Sequence, residues 1–235
     1  MERGLQTRIK TLAAWIHEAR YPVFFTGAGM STESGLFDYR GQNGIWTRQE
    51  KGLPPLSMEK SWSEIKPNQA HYALVELQEL GRMRFLISQN VDNLHRRSGV
   101  RQERLAELHG NMAMMRCRKC GRKADKTMNL TQCLCGGDFA DSVVHFGQVL
   151  PKDDFRKAFN HALKSDLFVV LGSSLTVAPA ADLPVEALRN ASTLVLINND
   201  PTPFDDRAHL RFTESVGYVL PAAVKQVKEF MGLRD

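Results

Sequence analysis

Val23-Phe24-Phe25-Thr26-Gly27-Ala28-Gly29 decides how this chain folds: a short apolar run of buried-strand character passes directly into a glycine turn. Before it, Leu5, Ile9, Leu12, Ala13 and Ile16 form one helical stripe within residues 5 to 20, which Pro22 ends. The same pattern returns three times downstream. Phe85-Leu86-Ile87-Ser88 runs into Gln89-Asn90-Val91-Asp92, Leu167-Phe168-Val169-Val170-Leu171 into Gly172-Ser173-Ser174, and Leu194-Val195-Leu196-Ile197 into Asn198. Helices are predicted from Pro67 through Leu80, near 152 to 164, near 181 to 190, and from Pro221 to Phe230. Apolar strands alternating with amphipathic helices predict an α/β fold, a Rossmann-like parallel sheet with helices on both faces. Ligands of such sheets bind at the carboxyl ends of the strands, so the polar strand ends converge on one edge.

The size bounds what this sheet can be. With 235 residues, 43% of them hydrophobic, the chain is long enough to bury a core, as one large domain or one with an inserted module. The Rossmann-like unit is predicted over 1–110 and 142–235, with a small module inserted at 111–141. A loop-rich insertion with little helix is predicted over 36–66, where Gly41, Gly44, Gly52, Pro54 and Pro55 crowd together near the ligand edge. No apolar stretch reaches the roughly 18 residues of a membrane span, and the N-terminus carries no secretory h-region. The expected compartment is the cytoplasm, with the nucleus left open.

The inserted module carries all four cysteines, spaced C-x2-C-x12-C-x-C at Cys117, Cys120, Cys133 and Cys135. Four thiolates suit tetrahedral zinc with no open position, which makes the metal structural. Cys135-Gly136-Gly137 supplies the tight turn of a zinc ribbon. The formal charge is +5, and Arg116, Arg118, Lys119, Arg122, Lys123 and Lys126 gather in this module. They read mainly as a solvated face, and secondarily as a dock for an acidic surface or nucleic-acid backbone.

Three constellations carry chemistry. Gly27-x-Gly29 is either a phosphate cradle or an ordinary tight turn, because Thr32 replaces the third glycine of the dinucleotide fingerprint. Past that turn, Arg40 in Asp38-Tyr39-Arg40 either reaches a phosphate or pairs with an acid at the surface. Asn90 and Asp92 flank Val91 and face the same way by strand alternation. They hydrogen-bond an amide, a ribose or a water, unless Asp92 caps the turn at Asn93-Leu94-His95. Among seven histidines, His109 in Glu107-Leu108-His109-Gly110 is the best base candidate, since imidazole titrates near neutrality.

Taken in order, these segments resemble the sirtuin family of NAD-dependent protein-lysine deacylases. The matching stretches run from Gly27 through Ser34-Gly35 to Asp38-Tyr39-Arg40-Gly41. They continue with Gln89 to His95, Glu107-Leu108-His109-Gly110-Asn111, the four cysteines, Val143-Val144-His145-Phe146-Gly147, Gly172-Ser173-Ser174-Leu175 and Leu196-Ile197-Asn198. The likeness spans about residues 5 to 232. Asn43 to Thr47, Val144 to Gly147, and the stretch from Asp200 to Arg211 are similar to the branch whose eukaryotic members are nuclear.

The resemblance implies removal of acyl groups from protein lysines, with nicotinamide and O-acyl-ADP-ribose as products. It implies His109 as general base on a ribose hydroxyl, with Asn90 and Asp92 holding nicotinamide and a water. NAD contacts are implied for Gly27, Ala28, Gly29, Thr32, Asp38, Tyr39, Arg40, Trp46, Gln89, Gly172, Ser173, Ser174, Asn198 and Val216. Backbone pairing with Val144, His145, Phe146 and Gly147 is implied for the acyl-lysine peptide, and zinc for the cysteines. Two departures bear on specificity. Gln148 stands where the family's Phe-Gly-Glu has its acid, and no Tyr-x-x-Arg pair occurs between Tyr39 and Tyr72. Acetyl or longer neutral acyl groups are therefore expected, rather than succinyl. ADP-ribosyl transfer to protein is the rival enzyme reading, and a zinc-ribbon nucleic-acid-binding protein the rival from another class.

Overall fold

Every residue of β1 (Pro22–Thr26) is buried, because a central strand of a parallel sheet is covered on both faces. The computed structural model describes residues 4–58, 61, 62 and 64–233. Residues 1–3 and 234–235 of the expected Rossmann-like unit, and 59, 60 and 63 of the expected insertion, lie outside the described residues. β1 pairs in parallel with β2 (Phe85–Ser88), with Val23 opposite Phe85, and with β7 (Leu167–Leu171), with Val23 opposite Phe168. Beyond β2 lies β3 (Leu105–Glu107). Beyond β7 lie β8 (Thr193–Ile197) and β9 (Leu210–Phe212), giving the order β3-β2-β1-β7-β8-β9. The order reverses between β1 and β7, which makes that crevice the topological switch point.

Alternation along the strands feeds two cores. Phe24, Leu86, Val169 and Val195 face α1 (Leu5–Glu18), α3 (Gln69–Glu79) and α7 (Val216–Phe230). Phe25, Ile87, Val170 and Leu196 face α5 (Lys152–Lys164) and α6 (Leu183–Arg189). The sheet is thus covered on both faces, as the strand–helix alternation predicts. No helix among the described residues is long and apolar enough to cross a membrane.

Two elements differ from expectation. Pro67 does not start α3; Asn68 caps it, its side-chain oxygen accepting from the backbone N–H of Ala70 at 3.0 Å and of His71 at 3.3 Å. An amide side chain satisfies first-turn donors that a proline ring leaves open. α7 begins at Val216, five residues before Pro221, because the Ser215 hydroxyl accepts from Tyr218 N–H. Pro221 then sits inside the helix, at the cost of one backbone donor near its start. Within the loop-rich 36–66 region the helix is short, α2 (Ile45–Glu50), seated by Ile45 and Trp46 N–H groups donating to the carbonyls of Asp38 and Tyr39.

The cysteine module is a three-stranded antiparallel sheet, β5-β4-β6, built from β4 (Met114–Cys117), β5 (Lys123–Asp125) and β6 (Phe139–Asp141). It leaves the sheet unit after β3 and re-enters before α5. Both crossings run beside His109.

Candidate active site and metal centre

The switch point is built by glycines from both sides. Gly27 N–H donates to Leu171 O at 3.0 Å, and Gly29 N–H to Gly172 O at 2.9 Å. A Cβ on Gly27 would lie 2.7 Å from that same carbonyl oxygen, and one on Gly172 only 2.3 Å from Met30 N. Gly172 also holds φ +60, a left-handed conformation that glycine adopts without steric cost. The glycines of the turn thus let β1 and β7 ends pack backbone to backbone. Gly29 and Gly172 also line the cavity beside them.

That cavity has a volume of about 880 Å³, within the range of roughly 300–1,000 Å³ typical of ligand pockets. Of the expected cofactor residues, Gly29, Thr32, Asp38, Gly172, Asn198 and Val216 line it. Thr32 Oγ1 donates to Gly29 O, and Asn198 Nδ2 donates to Asp200 O at 2.7 Å. Asp38 accepts from Gly41 N–H at 3.1 Å. Burial pushes its carboxyl above the usual range, with Asp200 adding to the effect and the Gly41 hydrogen bond opposing it. No ion pair between Asp38 and Arg40 is present among the described residues. Arg40 lies instead 4.7 Å above the Trp46 ring.

Next to the cavity runs a chain of buried polar groups. Ser31 Oγ donates to Asp92 Oδ2 at 2.6 Å and accepts from Asn90 Nδ2 at 3.2 Å. The other Asp92 oxygen accepts from Leu94 N–H at 2.9 Å. One Asp92 oxygen thus accepts from the first residue of α4 (Leu94–Ser98), in line with the capping reading, while the other is held by the Ser31 hydroxyl. Ser173 Oγ donates to Gln89 Oε1 at 2.7 Å, tying the end of β7 to the end of β2. Ala28 opens the short helical turn Ala28–Ser34 after the first glycine, and Ser174 pairs with Thr176 at the surface.

His109 joins this chain through Nδ1, 3.0 Å from the carbonyl oxygen of Gln89. A carbonyl only accepts, so Nδ1 carries the proton and Nε2 keeps the lone pair. Burial pushes the His109 pKa below its ordinary 6.5, and the Gln89 carbonyl opposes that by favouring the cation. The ring is therefore a neutral base near pH 7. His95 has a packing role instead: its Nε2 lies 2.9 Å from Thr26 Oγ1, and burial pushes it down to about 4.

The 144–147 segment starts where Val144 N–H donates to His109 O at 2.9 Å. His145 N–H donates to the side-chain oxygen of Gln148, and Gln148 N–H donates back to His145 O. Gln148 thus closes a turn with Gly147 at φ +81. Phe146 is 75% exposed and packs its ring 5.1 Å from Trp46, which packs 4.9 Å from Tyr39. Trp46, implied as a cofactor contact, sits between the post-glycine loop and the 144–147 segment rather than on the cavity wall.

The four cysteine sulfurs lie within 4.8 Å of one another. Cys117 and Cys135 sulfurs are 3.5 Å apart, and those of Cys120 and Cys133 3.7 Å apart. Tetrahedral zinc at about 2.3 Å from each sulfur demands roughly 3.8 Å between them, so the set fits zinc. Gly137 is required here, because a Cβ would lie 2.8 Å from Cys117 Sγ. The basic cluster divides. Arg118, Lys119 and Arg122 are exposed, whereas Arg116, Lys123 and Lys126 are held in ion pairs. The solvated-face expectation is thus corrected in part: Arg116 and Lys123 point inward, whereas Lys126 pairs with Asp141 at the surface.

Sequence reasoning overlooked Ser31 as the bridge between Asn90 and Asp92, and Glu33, Asp200 and Ser215 on the cavity wall. Ser31 stands in a turn without periodicity, and its partner Asp92 is 61 residues away. No local pattern signals that pairing.

Comparison with known proteins agrees with this geometry. The Sir2 family model matches residues 53–179. An NAD-dependent protein deacetylase of Oceanobacillus iheyensis is 39% identical over 220 residues, covering 85% of this chain and 92% of that protein. The NAD-dependent protein deacetylase SRT1 of Arabidopsis thaliana is also 39% identical, over 88% of this chain and 46% of its own length. A solved complex of Sir2 with a p53 peptide and NAD+ superposes with a TM-score of 0.72 at 34% identity, covering 95% of this chain and 98% of that one. Sir2Tm bound to a propionylated peptide gives the same TM-score at 32% identity, covering 96% and 99%. With relatives above 30% identity along most of its length, a switch-point cavity and a four-cysteine module, this chain belongs to the Sir2 family.

Proposed function

We infer that this protein removes acetyl or longer neutral acyl groups from lysine side chains of proteins, consuming NAD and releasing nicotinamide and O-acyl-ADP-ribose. The observation that carries the reading is the Gln89 carbonyl holding His109 Nδ1–H beside the Asn90–Ser31–Asp92 chain. Bound NAD supplies a ribosyl carbon that becomes electrophilic as nicotinamide leaves, which a weakly nucleophilic amide oxygen requires.

The chain's own residues do the rest. Gly29, Thr32, Asp38, Gly172, Asn198 and Val216 would hold the cofactor along the cavity, with Gly27, Ala28, Tyr39, Arg40, Trp46, Gln89, Ser173 and Ser174 as further contacts. The α7 N-terminus, reaching the cavity at Ser215 and Val216, adds partial positive charge for an anion. Asn90 and Asp92, fixed by Ser31, present an amide and a carboxylate to nicotinamide and a water. His109 Nε2 accepts a proton from a ribose hydroxyl, and the Gln89 carbonyl stabilises the imidazolium that forms. Segment 144–147 offers its backbone to the substrate peptide. The cysteines hold zinc away from the chemistry, as a structural ion.

Mass spectrometry of an acetyl-lysine peptide with and without NAD tests the reading. Loss of acetyl only with NAD, with equal nicotinamide release, supports it; label from NAD retained on protein favours ADP-ribosyl transfer instead. Two further outcomes are expected. The acid limb of kcat/KM falls below pH 6.5, because burial lowers the His109 pKa and activity is lost only as pH drops through that lowered value. A midpoint above 6.5 contradicts the assignment. Acetyl-lysine peptide exceeds succinyl-lysine peptide in kcat/KM by about tenfold or more, since Gln148 closes its own turn and no Tyr-x-x-Arg pair awaits an acid. Equal efficiencies contradict the neutral-acyl preference.

A further inference from the structure

Lys123 touches two carboxylates from different parts of the sheet unit. Its Nζ lies 3.2 Å from Glu107 Oε2, at the end of β3, and 2.9 Å from Asp154 Oδ1, in the first turn of α5. Arg116, on β4, places Nη2 2.7 Å from Asp154 Oδ2, and Arg96, on α4, places Nε 3.4 Å from Glu107 Oε1. Both carboxylate side chains are only 5% exposed, and Lys123 only 14%. Withdrawing five charges from water is costly, and apolar residues of similar volume often stabilise such a contact as well or better. What the charges add is direction, because each bridge forms in one relative orientation of module and sheet.

That orientation leads to the reaction. Glu107 stands two residues before His109, and Asn111 Nδ2 donates to Glu107 Oε1 at 2.5 Å. Asn111 N–H donates to Ser142 Oγ at 2.9 Å, and Ser142 Oγ donates to Asn111 O at 2.8 Å. Gly110 passes so close that a Cβ there would collide with Ser142 O. Two residues beyond Ser142, Val144 N–H is bonded to His109 O. Both strands crossing between module and sheet are therefore bonded to each other beside the base.

We propose that Lys123 and Arg116, bridged to Glu107 and Asp154, form an ionic latch that orients the zinc module and so holds the 144–147 peptide segment against His109. They are positioning residues for the acyl-lysine substrate, a role that rests on the deacylase reading of His109 and that segment. The cofactor cavity shares none of the four residues, so the latch acts on peptide binding and not on NAD.

The test compares full-length, zinc-loaded wild type with Lys123→Met, Lys123→Arg and Asp154→Asn. Lys123→Met raises the peptide KM about tenfold, leaves the NAD KM within about twofold and keeps the zinc content unchanged. Lys123→Arg returns the peptide KM to within about threefold of wild type, because a second cation of similar reach restores the bridge. Hydrogen exchange reads the latch without turnover: Lys123→Met accelerates amides in 105–117 and 139–147 and leaves 22–30 unchanged. Equal rises in both KM values, an unaltered peptide KM, or unaltered exchange at the crossing overturns the proposal. If Lys123→Met fails to fold, Asp154→Asn decides by the same two readouts. A wild type that binds NAD but deacylates no peptide defeats the deacylase reading alone, and the exchange result still judges the latch.

Discussion

His109→Ala is expected to lower kcat for NAD-dependent deacylation by about three orders of magnitude, the middle of the range for a positioned general base. The fold should survive, because among the described residues the side chain makes one hydrogen bond, to Gln89 O, and contributes to neither sheet core. Its backbone carbonyl, which accepts from Val144 N–H, is retained by alanine. The NAD Kd should therefore change little, which separates lost chemistry from lost binding. Turnover within about tenfold of wild type, in a variant with an unaltered melting curve, removes His109 from the role of base.

Cys117→Ala is expected to release the zinc and unfold the module. Structural zinc sites contribute about 10–16 kcal/mol of apparent binding free energy, comparable with the whole stability of a domain. The module has little else to hold it. Among the described residues, its buried apolar side chains are Met114, Cys117, Ala124 and Cys133, and two of these are the ligands themselves. Met128, Leu130 and Leu134 are exposed on its surface. Metal analysis should show zinc in wild type and none in the variant, with the variant insoluble or melting about 10 °C lower or more. Peptide turnover should vanish with the metal, because segment 144–147 is anchored where the module rejoins the sheet. A folded variant that keeps its zinc refutes the four-cysteine assignment.

Much of the fold was legible because it is written in local period. β1, β2, β7 and β8 appear as short runs of Val, Leu, Ile and Phe, and α5 spans the 152 to 164 read from the sequence. Other elements escaped for physical reasons. β3 and β9 are three residues each, too short to show alternation, and exist because β2 and β8 offer their edges. The start of α7 was hidden by Pro221, a strong local signal overruled by the Ser215 cap and by burial of Val216, Val219 and Leu220. In the site, His109 was legible as a base candidate, and Asn90 and Asp92 as a polar pair at a strand end. The serine fixing that pair was not.

The four central strands with their polar turns, the base candidate and the candidate metal-ligand set were determined by sequence alone, since each rests on residue types close together in the chain. Only the tertiary structure decided that Ser31 binds Asp92, that Ser173 reaches Gln89 across 84 residues, and that Lys123 faces inward to Asp154 instead of outward to water. A charged or hydroxyl side chain reads as solvated until folding brings an acceptor to it. That meeting is settled by how sheet, helices and module pack, a sum over many weak contacts that no short stretch of chain contains.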